Sequence, residues 1–125
     1  MMRLETMADE NHRVEVHPAR HHVQVKFSGE TIASTTSPLL VFETGLPVRY
    51  YIPPQDVRMD FLKPSNRSTT CPYKGKASYW SIEAGGIRAE GAVWAYLDPI
   101  PACESIKGYL SFYPDRVELI VDNQH

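Results

Sequence analysis

The sequence predicts an all-β fold, and three features carry that prediction. Short runs in which apolar and polar residues alternate recur along the chain, the period-two pattern of half-buried strands. No stretch of ten or more residues holds the 3.6-residue period of an amphipathic helix. Ten prolines are spread over 125 residues, and turn signals recur about every 8 to 12 residues, a spacing typical of sandwiches and distorted barrels. The expected architecture is one domain, a compact bent sheet or pseudo-barrel of about eight to ten strands with a short helical turn.

Residues 1 to 13 are polar and unpatterned and read as a disordered N-terminal tail, leaving 14 to 125 as the domain. Val23, Val25 and Phe27 alternate with Gln24 and Lys26, and after Ser28-Gly29-Glu30 the run Thr31-Ile32-Ala33-Ser34 resumes, so the pair reads as a hairpin. Leu39-Leu40-Val41-Phe42, bounded by Ser-Pro and Thr-Gly, is a short buried strand by its length and its β-branched and aromatic content. Arg49-Tyr50-Tyr51-Ile52 is the next, ended by Pro53-Pro54 because proline removes a ladder donor. Gln55 to Leu62 reads as one more extended piece, and Lys63 to Gly75, with its prolines, Ser65 and Asn66, as mostly loop. Ala77 to Glu83 and Ile87 to Leu97 form a hairpin through Ala84-Gly85-Gly86. Ala102 to Lys107 gives a single helical turn before Gly108. Tyr109–Tyr113 and Arg116–Val121 read as a last hairpin, closed at Pro114-Asp115 by a proline that presets φ and an Asp that bonds its own backbone.

Composition narrows the function classes. Apolar residues make up 42% and charged residues 22%, ordinary for a globular domain. A formal charge of −2 supplies no basic field for a phosphate backbone, so no nucleic-acid partner is expected. No segment reaches the ~20 apolar residues of a spanning helix, and the N-terminus has no signal-peptide core, so the expectation is a cytoplasmic protein with no membrane partner. Cys71 and Cys103 are too few for a disulfide scaffold. His17, His21 and His22 have loose metal-like spacing, but a structural zinc site needs four ligands, and no metal or cofactor is expected.

The most unusual stretch is Cys71-Pro72-Tyr73-Lys74-Gly75-Lys76-Ala77-Ser78-Tyr79-Trp80-Ser81. Around it stand Ser28-Gly29-Glu30, Glu43 before Gly45-Leu46-Pro47, Tyr50-Tyr51-Ile52-Pro53 with Asp56-Val57, then Trp94-Ala95-Tyr96, Pro99, Ile106-Lys107-Gly108 and Phe112-Tyr113. These motifs, in this order over roughly residues 14 to 122, resemble the bacterial family called domain of unknown function 427. The resemblance implies a compact β fold of the β-tent type, whose relatives include zinc-bearing modules and methionine sulfoxide reductases of the B type. The paired Cys-x-x-Cys motifs of those zinc sites are missing here, so the metal does not carry over. A nucleotidyltransferase label sometimes attached to the family is not matched either. Holding Mg²⁺ against a triphosphate takes clustered carboxylates, and the sequence has no Asp-x-Asp pair and no Gly-rich phosphate loop.

Taken residue by residue, the segment offers two chemistries. Cys71 is the candidate nucleophile, since a thiol beside cationic Lys74 is partly thiolate at neutral pH; its alternative is a small buried apolar group. Lys74 either binds an anionic ligand beside the turn at Gly75 or pairs with a carboxylate such as Glu43 or Asp56. The aromatics Tyr50, Tyr51, Tyr73, Tyr79, Trp80, Trp94 and Tyr96 either build the core or line a pocket with polar tips. Trp94 and Tyr96 share a face, whereas Tyr79 and Trp80 cannot. The expected function is binding of a small anionic or planar ligand in a cleft at the Cys71–Lys74 loop, with Glu43, Tyr50, Asp56, Tyr73, Lys74, Trp94 and Tyr96 as the binding set. The alternatives are a cysteine-dependent enzyme using Cys71 and Lys74, with Cys103 the sole available resolving thiol, and a homodimeric interaction module that pairs through a strand edge.

Overall fold

A computed structural model describes residues 11–122, and the chain is all-β. The first ten residues of the expected tail lie outside the described residues. Ten strands are assigned: β1 (Val14–Pro18), β2 (His22–Phe27), β3 (Glu30–Thr35), β4 (Leu39–Glu43), β5 (Arg49–Tyr51), β6 (Leu62–Cys71), β7 (Gly75–Ala84), β8 (Ile87–Pro99), β9 (Leu110–Phe112) and β10 (Glu118–Asp122). They pair antiparallel into three open sheets, in the orders β1-β4-β5, β10-β2-β3 and β6-β7-β8-β9. Among the described residues no helix is long and apolar enough to cross a membrane.

The alternating runs form the strands they predict. Val23 and Val25 of β2 are fully buried and face Thr35 and Ala33 across the β2–β3 hairpin. The β7–β8 hairpin turns on Gly85 and Gly86, both at positive φ, the backbone that a two-residue primed turn requires. Three segments depart from the sequence reading. Residues 55–61 do not form one extended piece: two 3₁₀ turns, Pro54–Asp56 and Met59–Phe61, flank a single bridge from Val57 to Ala33, the first turn begun by a proline whose φ suits a helical start. Residues 63–71 are not loop but the edge strand β6, paired with β7 from Leu62↔Ile82 to Cys71↔Gly75. An edge strand exposed on one side tolerates polar residues, and Pro64 sits where the register shifts, as proline in a sheet must. The last hairpin does not close: its turn forms, with Arg116 N–H donating to Tyr113 O at 2.9 Å, but β9 pairs with β8 while β10 crosses to β2. The helical turn is present as the 3₁₀ segment Pro101–Ile106.

Two apolar clusters result, and β8 serves both. Val93 and Ala95 face the larger one, with Val23, Val25, Ile32 and Ile82. Trp94 and Tyr96 face the smaller one, with Val41, Tyr51 and Tyr79. Period two sends neighbouring residues to opposite sides, so Ala92–Tyr96 is buried continuously. The β1-β4-β5 and β6-β7-β8-β9 sheets join where Ile52 and Leu110 exchange two backbone hydrogen bonds of 2.8 Å.

Because Ile82 belongs to the larger cluster alone, Ile82→Ala should cost about 2–5 kcal/mol in urea unfolding while, in a Trp80→Phe background, leaving the native fluorescence maximum of Trp94 in place. A shifted Trp94 emission in the folded variant would show that the clusters are not independent.

Candidate functional site

The smaller cluster does not fill the space between its two sheets. A cleft of about 160 Å³ remains, walled by β4 and β5 on one side and β7 and β8 on the other. Strand parity sets its lining. On β4, Val41 and Glu43 are two residues apart and face the same way; on β5, Arg49 and Tyr51 do likewise, with Val41 opposite Arg49 in register. Across the cleft Tyr79 stands opposite Trp94, two pairs along from Ala77 and Tyr96. A larger groove of about 610 Å³ near Gly85 and Gly86 is open and lined largely by exposed side chains, without a comparable buried polar group.

Lys74 enters through a turn the sequence specifies. Pro72 occupies the second position of Cys71-Pro72-Tyr73-Lys74, where proline presets φ, and Lys74 N–H closes the turn on Cys71 O at 3.2 Å. Gly75 follows at φ +121°, pressed against Pro99, where a Cβ would stand 3.2 Å from the Pro99 Cα. Lys74 O accepts from Ile100 N–H at 3.0 Å, so the turn is fixed from both sides. The Lys74 ammonium pairs with Glu43 Oε1, with side-chain exposures of 10% and 7%. The other carboxylate oxygen, Oε2, accepts from His12 Nε2 at 2.9 Å, and the His12 ring stacks on Tyr73 at 3.8 Å between centroids. Of the two partners the sequence left open for Lys74, Glu43 is the one engaged.

At the other end Arg49 lies over the rings of Trp94 (5.5 Å) and Tyr113 (5.8 Å), which themselves pack at 4.4 Å. Trp94 Nε1–H donates to the Tyr51 hydroxyl at 2.9 Å, with the two rings edge to face. Arg49 pairs with no carboxylate among the described residues. Tyr96 is 5% exposed and lines the cleft, and among the described residues its hydroxyl has no hydrogen-bond partner. Burial pushes the Tyr51, Tyr96 and Tyr113 phenols above their ordinary range, so the cleft is lined with neutral hydroxyls.

Of the predicted set, Glu43, Lys74, Trp94 and Tyr96 line the cleft together. Tyr73 stands behind it as the platform for His12. Tyr50 points the other way, since it neighbours Tyr51 on β5; it packs on the larger cluster and edge-on to His21. Asp56 is also elsewhere, accepting from the Thr35 hydroxyl at 2.7 Å. Cys71 is half-buried against the smaller cluster and is not a lining residue, and the cation expected to activate it is held by Glu43. Cys103 is buried, its thiol pushed up by desolvation and directed at Tyr73 O, 3.5 Å away. Sequence reasoning missed Arg49, Tyr113 and His12. Arg49 was within reach, because it must share a face with Tyr51; Tyr113 and His12 arrive through long-range contacts that no local pattern announces.

A family profile described as Domain of unknown function (DUF427) matches residues 15–123, and the chain belongs to that family. No curated protein matches it.

Breaking a largely buried ion pair strands one charge, so Lys74→Met should lose about 3–5 kcal/mol in urea unfolding, and Glu43→Leu combined with Lys74→Met should recover most of it. A single-variant loss below about 1 kcal/mol would mean the pair behaves as a solvated surface pair. The raised phenols set an alkaline limit. Each holds its proton to higher pH in the folded chain than in the unfolded one, so the stability they contribute is complete below the unfolded value near 10. It is then lost as pH rises past that value. Thermal melts should therefore fall above about pH 10, less steeply in Tyr96→Phe; a melting temperature flat to about pH 11 would contradict the assignment.

Proposed function

We propose that this DUF427 domain binds a small anionic or planar molecule in the cleft between β4–β5 and β7–β8. One observation carries the reading: a cleft between two sheets holds a cation without a carboxylate partner, Arg49, and a 95%-buried tyrosine, Tyr96, whose hydroxyl is unpaired among the described residues. Both groups bring unused hydrogen-bonding capacity to the cleft, Arg49 as a charged donor and Tyr96 as a neutral hydroxyl. An occupant that bonds to both would gain directed hydrogen bonds, the one to Arg49 charge-assisted. A mainly aromatic wall with a few convergent polar groups is the usual composition of a small-molecule site.

The surrounding structure suits binding more than turnover. The ammonium of Lys74 is committed to Glu43, and the Cys71 thiol lies outside the lining. The cleft is rigidly framed, with Lys74 set by a closed turn and Trp94 by its bond to Tyr51, so little side-chain ordering would be needed on binding.

The test is a fragment screen of small acids and flat heterocycles, read in ¹H–¹⁵N spectra at the indole N–H of Trp94. Binders should shift that resonance and the amides of Arg49 and Tyr96 together, and leave Trp80 in the larger cluster unmoved. If every binder perturbs only amides outside the cleft, or none binds, the reading is lost.

A further inference from the structure

We infer that the ligand of this cleft is a compact monocarboxylate, about one six-membered ring in size, with Arg49 as its charge partner and the Tyr96 hydroxyl as a hydrogen-bond donor. The inference rests on the reading above and narrows it to a chemical class. It follows from charge, hydrogen-bonding geometry and volume.

Among the described residues three charged side chains line the cleft: Glu43, Arg49 and Lys74. Glu43 and Lys74 neutralise each other, and the second oxygen of Glu43 is occupied by His12. A single positive charge is left over, on Arg49. One carboxylate balances it. A phosphate monoester, with up to two negative charges at neutral pH, would bring an excess charge into a site that also holds Glu43, and among the described residues no second uncommitted cation lines the cleft to meet it.

The guanidinium carbon lies over Trp94 and Tyr113, 5.5 and 5.8 Å from the ring centroids. Its donors lie in the plane, along the edge, and none is used by a side chain or carbonyl among the described residues. That edge is the planar fork that matches a carboxylate with two parallel hydrogen bonds. Tyr96 adds a third donor from across the cleft. Its ring is 6.0 Å from the Lys74 ammonium and its neighbours are mostly aromatic, and burial keeps the phenol protonated, so it is held as a donor to an anionic oxygen.

Volume limits the rest of the molecule. A cleft of about 160 Å³ is close to the ~150 Å³ apolar cavity that accommodates benzene. The apolar part of the acid is thus a single ring or a chain of similar bulk, set against Val41 and Tyr79, while Leu46 and Pro47 line the same cleft from the loop after β4.

Isothermal titration with benzoate, benzamide and phenyl phosphate separates the possibilities. Benzoate should bind, and neutral benzamide, of nearly the same shape, should bind about tenfold more weakly or worse, the usual difference for a charge-assisted hydrogen bond. Phenyl phosphate should also be weaker. Arg49→Gln should abolish the preference for benzoate over benzamide, and Arg49→Lys, which keeps the charge but loses the fork, should weaken benzoate without unfolding the chain. Tyr96→Phe should weaken benzoate less than Arg49→Gln does. Equal binding of benzoate and benzamide, tighter binding of phenyl phosphate, or a preference that survives in a folded Arg49→Gln would overturn the monocarboxylate assignment and leave a small-molecule cleft standing. Failure of all three probes, together with no cleft binder in the fragment screen, would remove both.

Discussion

Ile52 and Leu110 exchange two backbone hydrogen bonds of 2.8 Å, and through them the end of β5 is tied to β9 at the margin of the four-stranded sheet. This junction joins one sheet to another without merging them. On one side of it Ile52 and Leu110 enter the larger cluster; on the other, the adjacent Tyr51 turns into the smaller one. The β1-β4-β5 sheet is thereby held over the aromatic face of β8 at a fixed distance, and the cleft is the space left between them. The bond from Trp94 to Tyr51 repeats the constraint at side-chain level: it satisfies an indole N–H that would otherwise be buried without a partner.

The central sheet meets a second demand. Its middle strand is covered on both faces, an arrangement usually met with parallel sheets flanked by helices. Here the covers are two small antiparallel sheets, and residues 11–122 thereby hold ten strands and two cores. Each core alone is small, and the smaller one includes six aromatic side chains counting the partly buried Tyr109 and Tyr113, five of them phenols. Phenols can close a core and still present oxygen to a cavity. The cleft shows both uses: the Tyr51 hydroxyl accepts from Trp94, whereas that of Tyr96 lines the cleft without a partner among the described residues.

Charge in the site is arranged with the same asymmetry. A nearly buried lysine and glutamate would cost more than they return unless their remaining hydrogen-bonding capacity were met, and His12, brought up by the segment before β1, meets part of it. Arg49 needs no carboxylate to be tolerated, since two aromatic faces and partial exposure stabilise it. The outcome, among the described residues, is one neutralised pair that shapes the cleft and one cation without a carboxylate partner. Cys71, the most conspicuous residue of the segment around the turn, takes no part in that lining.

The sequence by itself determined the all-β class, the β2–β3 and β7–β8 hairpins, the turn that aims Lys74, and the shared face of Trp94 and Tyr96. These are local matters: side-chain alternation, proline at a turn position, and paired glycines act within a few residues. It failed at Lys63–Cys71, where polar residues resemble a loop until β7 supplies the backbone partner, and at Arg116–Val121, where the Pro-Asp turn is formed but the following strand finds β2 rather than β9. Parity could say that Tyr50 and Tyr51 face opposite ways but not which of them meets Trp94. That choice belongs to the tertiary structure, because a strand pattern fixes only relative faces, whereas which face becomes a wall is set by the sheet that packs against it. For the same reason Glu43 and Lys74, 31 residues apart, Arg49 and Tyr113 became one site only when the two sheets closed on each other.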